Sequence, residues 1–596
     1  MVILIIARVA SAADLYVAPN GNDADPGTEA RPFATLDRAR QAVRQLNRNR
    51  SGDLVVALRG GTYRVGRTVV FQEGDSGTGG HDIIYEACPG ERPVLSGGRS
   101  IRGWQPDGHG RWKAQTEVPN FRQLYVDGVR AVRARGGELP GAQLAGEDGY
   151  RTTAVAMADW RNPADIEFCY RVTWCHTRCK VQSIRREGSQ ALIRMLQPHF
   201  THARTKEGVQ INLPTYLENA WELLDEPGEW YWDRPAQTVY YLPKPAEDMR
   251  RATVVVPVID RLIELRGTLD RPVHNIQFIG ITFADAGWRQ PSETGLVDVQ
   301  ANFVLNGKKP LKRDGHLTAL HNEQIKSPAN VVGHAARAIR FVRCTFTRLG
   351  GAGIDLECGS QDNLIQGCHF CDISSSAVQI GDVLKNDHHP DDPRLIVKNN
   401  HVVNNYIHDV CVEYLGGVGV FAGYTEGTLI AHNEISRLPY SAISVGWGWG
   451  EEDAGGGAEN YYMPFHYQTP TPARNNRIEY NHIHHVMERL QDGGGIYTLG
   501  NMPGTIIRGN HIHHNTGGPG GIYLDEGSGF IELTGNLVHE VGNPMNYNNR
   551  AQNRIATCNE HDNLFGMAPA SSETAGRIAE QAGLEPAYRR LLKNAP

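Results

Sequence analysis

Basic charge is in short supply in this chain: 60 Lys and Arg face 66 Asp and Glu, for a formal net charge of -6. A nucleic-acid binder normally shows a basic patch or stripe, so the balance argues against that class and suggests no membrane-surface role. Long apolar runs are missing too. The membrane-like stretch is the short run at residues 2–6, and no later segment approaches the ~20 apolar residues that a spanning helix requires. Cysteine is sparse, with 10 in 596 residues, which is not the density of a disulfide scaffold. Cys175 and Cys179, with Cys169 nearby, are candidates for a local bridge; their spacing lacks the second matched pair of a zinc site. No Gly-rich phosphate loop joins a strand to a helix, and no zincin motif occurs. No cofactor and no metal are therefore expected.

What is abundant is glycine, 66 residues, together with many Asn and 24 His. Gly and Asn tolerate tight turns, so a chain rich in them turns often. Between about residues 339 and 540 one pattern returns: apolar-x-x-Asn/Cys-x-apolar, a turn, then Gly/Ala-Ile/Val-x-apolar. Its first half carries Cys344, Cys368, Asn405, Asn433, Asn481, Asn510 and Asn536. Its second half carries Ile354, Val378, Val418, Ile443, Ile496 and Ile522. The strands are short and alternate with period two, which argues against helical repeats. One coil cannot bury its own apolar side, so the coils must stack into one core. The expected fold is all-β, a right-handed parallel β-helix. Stacking sets equivalent residues in columns ~4.8 Å apart, so the Asn column becomes an inward amide ladder, with Cys344 and Cys368 as small buried members.

Residues 1–13, an apolar run ending in Ala10-Ser11-Ala12-Ala13, read as the remnant of a secretory signal, or alternatively as a buried first strand. A secreted or periplasmic location follows from the first reading. Residues 14–117 are expected to hold the first coils and a capping helix at 35–46, with Thr35 as N-cap. Residues 118–250 break the repeat and read as an inserted β-rich module; 251–560 form the main β-helix. Residues 561–596 form a tail, with an amphipathic helix at 575–592 packed on the far end.

A long stack of strands suits an extended polymer better than a small cofactor. Hydrolysis of a glycoside usually needs two carboxyls flanking the bond, so the search is for carboxylates beside the Gly-Ile-Tyr strands. Two places qualify: Asp492 before Gly493-Gly494-Gly495-Ile496-Tyr497, and Asp525-Glu526 after Gly521-Ile522-Tyr523-Leu524. Aligning Gly495 with Gly521 puts Tyr497 beneath Tyr523. The glycine run beside Asp492 is expected to leave room for a sugar ring. The bland reading makes Asp492 an Asx-turn residue and Asp525 or Glu526 a solvated turn charge. Glu357 shares the column of Asp525 several coils away. Trp447 and Trp449, flanked by glycine, are candidate platforms for a sugar, or else packing under the insertion at 450–474. Tyr461, Tyr462 and Tyr467 of that insertion are candidates for a subsite wall. His485 and His514 sit in repeated His pairs and are candidates for contacts to sugar hydroxyls.

At these residues the chain resembles the parallel β-helix glycoside hydrolases, most closely glycoside hydrolase family 141 and more distantly family 120. The likeness includes Leu15-Tyr16-Val17-Ala18-Pro19-Asn20-Gly21, Pro32-Phe33-Ala34-Thr35-Leu36, Gln123-Leu124-Tyr125-Val126-Asp127-Gly128 and Glu229-Trp230-Tyr231-Trp232-Asp233. The resemblance implies α-L-fucosidase or xylanase activity, with two aspartates of the β-helix as catalytic residues. Carried over, they fall on Asp492 and Asp525, with Glu526 as the competing second carboxylate. A polysaccharide or oligosaccharide substrate and a monomeric enzyme are expected. Two rivals stand beside it. A lyase or epimerase would neutralise a uronate with Lys, Arg or Ca²⁺. No Lys occurs from Asn399 to Asp562, whereas Arg489 and Arg508 keep that chemistry open. A non-catalytic carbohydrate-binding β-helix would need aromatics and amides but no carboxylate pair.

Overall fold

The computed structural model describes residues 13–593 except 207, 306–310, 314–315, 319–323, 455–468 and 549–553. Residues 1–12 of the expected signal remnant, and Tyr461, Tyr462 and Tyr467, lie outside the described residues.

The chain winds into a parallel β-helix with three strand ladders. One coil shows the plan: Arg477–Glu479 on the first face, His482–His484 on the second, Gly493–Leu499 on the third. Each pairs in parallel with its equivalent in the next coil, as in Ile478↔Ile507, Ile483↔Ile512 and Ile496↔Ile522. Period two puts these residues inside, where all are buried. Aromatics stack along the same columns: Phe283 on Phe346 at 5.0 Å between ring centroids, Phe346 on Phe370 at 4.7 Å. Each such pair contributes about 0.5–1.5 kcal/mol beyond its buried area.

The corner between the first two faces needs an interior residue that satisfies turning backbone. Asn does so. Asn405, Asn433, Asn481, Asn510 and Asn536 each donate to the side chain of the next member at 2.8–3.0 Å, and Asn563 accepts the last of these bonds. Each also donates to a backbone carbonyl, as Asn481 does to Ile430 at 2.9 Å. The Cys368 N–H joins the column by donating to Asn405 Oδ1, 2.9 Å. Cys344 and Cys368 are free and buried there.

The helix Leu36–Leu46 closes the first coil, and the Thr35 hydroxyl accepts from the Arg38 N–H at 3.1 Å. The tail departs from expectation. Instead of one helix at 575–592 there are two, Glu573–Gln581 and Arg590–Lys593, parted at Gly583, whose φ is +79°. The first packs on Leu537 through Ala575 and Ile578. The linking segment then runs back along the coils, where the Glu585 N–H donates to Asn404 Oδ1 at 2.9 Å.

The inserted region has cores of its own. Its largest sheet has seven strands, among them Glu167–Val172 paired antiparallel with Cys175–Glu187. The expected bridge among Cys169, Cys175 and Cys179 is absent, for all three are free. Cys169 stands opposite Arg178 and Cys179 opposite Phe168, so the pairing register keeps their thiols apart.

Candidate active site

The register of the third face brings the site together. Tyr497 lies against Tyr523 and Thr498 against Leu524, one coil apart. The two tyrosine rings meet edge on, with centroids 5.2 Å apart. Asp492 enters the lower strand and Asp525 leaves the upper one, so both carboxyls reach this tyrosine pair. The Tyr523 hydroxyl donates to Asp492 Oδ1 at 3.1 Å and also helps to lower the Asp525 carboxyl. The Tyr497 hydroxyl donates to Asp525 Oδ2, and Asn548 Nδ2 donates to Oδ1 at 2.6 Å.

Asp492 is held by its backbone. Its φ is +61°, a left-handed conformation that aspartate accepts more readily than most residues. Its N–H donates to the Gly518 carbonyl at 2.7 Å, and its own carbonyl accepts from the Tyr440 hydroxyl at 2.8 Å. Burial raises the Asp492 carboxyl above the ordinary carboxylate range; the Asp525 charge adds to this and the Tyr523 hydroxyl opposes it. Burial also raises Asp525, against the opposing hydrogen bonds from Tyr497 and Asn548. Asp525 is 5% exposed, while Asp492 is only partly buried. Two close carboxyls of unequal surroundings can hold different protonation states at one pH, the requirement of acid-base work on a glycoside.

Several expected contacts fall elsewhere. Trp447 is no sugar platform: it is 1% exposed and packs on Phe303 at 4.4 Å. Trp449 leans edge on against Trp447, partly buried at the rim of the core. Glycine neighbours do not expose a ring when the turn folds it inward. Nor does the glycine run clear space for a sugar. A Cβ on Gly493 would meet Tyr440 and Ser441, on Gly494 the Gly521 carbonyl, and on Gly495 the Ile512 side chain. These glycines let coils approach one another. Tyr497, Tyr523 and Glu526 are buried, so the tyrosines position carboxyls and offer little surface to a ligand. His485 and His514 stack on each other at 5.3 Å. His485 opens the turn that Asp492 ends, and neither is among the hydrogen-bond partners of the two aspartates. Glu357 is held by Lys326 at 2.9 Å.

Tyr440 and Asn548 were not anticipated. Asn548 could have been found by carrying the column one coil further, since Tyr523 pairs with Asn546. Tyr440 lies in a turn without a repeat signature. Among groups able to hold a metal, His482, His511 and His513 bring ligand atoms within 4.8 Å of one another on the second face.

Comparison with known proteins bears on this geometry. Residues 111–244 match the family description "GH141 insertion domain". A solved structure titled "Glycoside hydrolase" is 30% identical, with a TM-score of 0.81, over 97% of this chain and 100% of that one. The structure of XylC with xylose shares 11% identity at a TM-score of 0.49, covering 92% of this chain and 69% of that one. The GH136 lacto-N-biosidase from Eubacterium ramulus shares 9% at a TM-score of 0.36, covering 93% and 68%. No curated protein matches. The fold and the first of these likenesses define a parallel β-helix carbohydrate-active enzyme. No helix among the described residues is long and apolar enough to cross a membrane. The chain belongs to the glycoside hydrolases, with the inserted module of family 141.

Proposed function

We propose that this hydrolase is exported from the cell and cleaves plant or algal polysaccharide or oligosaccharide, as an α-L-fucosidase or xylan-active enzyme, using Asp492 and Asp525. The observation that carries the reading is the pair itself: two carboxyls on adjacent coils, both raised by burial, with the Tyr523 hydroxyl between them. Asp525 accepts from Tyr497 and Asn548, donors that favour its ionised form, and it serves as base or nucleophile. Asp492 has one hydroxyl donor and a neighbouring negative charge, so it keeps its proton and serves as general acid. Glu526, buried beside Asp525, is the alternative second carboxylate. Retention or inversion turns on a carboxyl separation of roughly 5–5.5 Å against 6.5–9.5 Å. Export is supported by the apolar start ending in small residues.

The test is a screen of the purified protein, with D492N and D525N beside it, on aryl glycosides and on plant and algal polysaccharides. Release of a neutral sugar such as fucose or xylose, lost in both variants, is the expected result. Products absorbing in the ultraviolet would mean lyase chemistry. Undiminished hydrolysis in either variant would overturn the pair.

A further inference from the structure

Beside the turn that ends in Asp492 lies a cavity of about 610 Å³ between the inserted module and the coils. That volume suits a sugar residue or two. Arginine dominates its lining. Four of these arginines are spoken for: Arg122 by Glu167 at 2.7 Å and by Glu413, Arg130 by Asp372 at 2.5 Å. Arg133 pairs with Glu167 at 3.0 Å, and Arg178 with Glu218 at 2.8 Å. Three others, Arg135, Arg171 and Arg489, line the same cavity and have no carboxylate at ion-pair distance among the described residues. All three are exposed at its rim. Four guanidinium charges thus meet four carboxylates, and three remain uncompensated around one hollow.

The hollow adjoins the aspartate pair by two routes, one along the chain and one through a hydrogen bond. Arg489 stands three residues before Asp492 on the same turn. Arg171 is the penultimate residue of the strand Glu167–Val172, and the hairpin that follows meets that turn where the Gln491 N–H donates to the Thr173 carbonyl at 2.8 Å. His176, on the returning strand of this hairpin, also lines the cavity, and burial holds its imidazole well below its ordinary range, hence neutral. Its ring is already hydrogen-bonded to the Tyr216 hydroxyl at 3.0 Å, so it adds no charge to the cavity and leaves the arginines to set its character.

We propose that this cavity is an anion subsite, taking the carboxylate of a uronic acid or the sulfate of a sulfated sugar next to the scissile bond. The inference rests on the hydrolytic role of Asp492 and Asp525 and gives the substrate a charge. Guanidinium groups bind both oxyanions in fork geometry, so the chemistry is shared between the two sources.

Calorimetric binding distinguishes them. The probes are trigalacturonic acid and its methyl ester, and a sulfated galactan trisaccharide with its desulfated counterpart. The proteins are the full chain, R171Q, R489Q, and R185Q as a surface control outside the cavity. At low ionic strength one charged probe is expected to bind about tenfold more tightly than its neutral counterpart. That preference should fall severalfold in R171Q and R489Q and persist in R185Q. Preference for the acid identifies a uronate subsite, preference for the sulfated probe a sulfate subsite. Equal binding of charged and neutral probes, no binding of either charged probe, or a preference unchanged in R171Q and R489Q would overturn the inference. Because binding is read without turnover, a chain that prefers the anion but hydrolyses nothing sinks the catalytic reading alone. A chain that needs Asp492 for turnover yet shows no anion preference sinks the subsite alone.

Discussion

Replacing Tyr523 with phenylalanine removes one hydroxyl and keeps the ring that packs on Tyr497. That hydroxyl donates to Asp492 at 3.1 Å and also helps to lower Asp525. A donor stabilises a carboxylate, so its loss raises both groups. A hydrogen bond to a charged group contributes about 1.5–3 kcal/mol, and about 1.4 kcal/mol corresponds to one pH unit. The hydroxyl's proton points to Asp492, and Asp525 retains Tyr497 and Asn548. Asp492 therefore takes the larger share, about one pH unit upward, and Asp525 moves less. With Asp492 as the acid, the basic limb of kcat/KM against pH follows it upward while the acidic limb stays nearly in place. The bell widens. With the roles exchanged, the acidic limb would follow Asp492 and the bell would narrow. The assay is kcat/KM for wild type and Y523F over about pH 4 to 9 on the best aryl glycoside from the screen, with melting temperatures to establish folding. A basic limb that stays put or moves down refutes the reasoning.

Asp525→Asn should cut hydrolysis by about 10²–10⁴-fold without a matching loss of stability. The raised Asp525 carboxyl binds its proton more tightly folded than unfolded, so its contribution is full below the ordinary carboxyl range and is lost as pH rises through the folded value. The melting temperature of D525N should therefore gain on wild type from about pH 4 toward neutrality; a gap that opens the other way contradicts this. Arg122→Met removes one guanidinium from Glu167 and Glu413, which keep Arg133 and Arg130, and urea unfolding should show a loss of about 1.5–3 kcal/mol. A loss within experimental error would mean the ion network does not tie the module to the coils. Asn481→Ala breaks the ladder to Asn433 and Asn510 at a cost of about 2–4 kcal/mol. Hydrogen exchange should quicken mainly in the flanking coils, and a uniform increase would speak against nearest-neighbour cooperativity. Since the cysteines are free, a thiol reductant should leave the melting temperature unchanged.

Period-two strands and a returning Asn column were enough to read the coils, because pairing in a parallel ladder depends on local pattern. The same logic reached into the site. Aligning Gly495 with Gly521 placed Tyr497 against Tyr523, and the observed register does so as well. Asn548 lay within reach of that argument and needed only one more coil. The turns were a different matter. Side-chain direction alternates predictably along a strand but not through a corner, so the sequence left Trp447 open between sugar platform and packing, and it is buried against Phe303. The glycines beside Asp492 read as space for a ligand and are filled by neighbouring coils. Sequence spacing likewise says nothing about where an inserted module folds back. The contact of Gln491 with Thr173, and the three uncompensated arginines beside it, join segments some three hundred residues apart. The amino-acid pattern thus determined the solenoid and the column that carries Tyr497, Tyr523 and Asp525, since both follow from repetition. Tertiary packing alone decided which turn residues face inward and what charge surrounds the neighbouring cavity, since those depend on surfaces that meet only once the chain is folded.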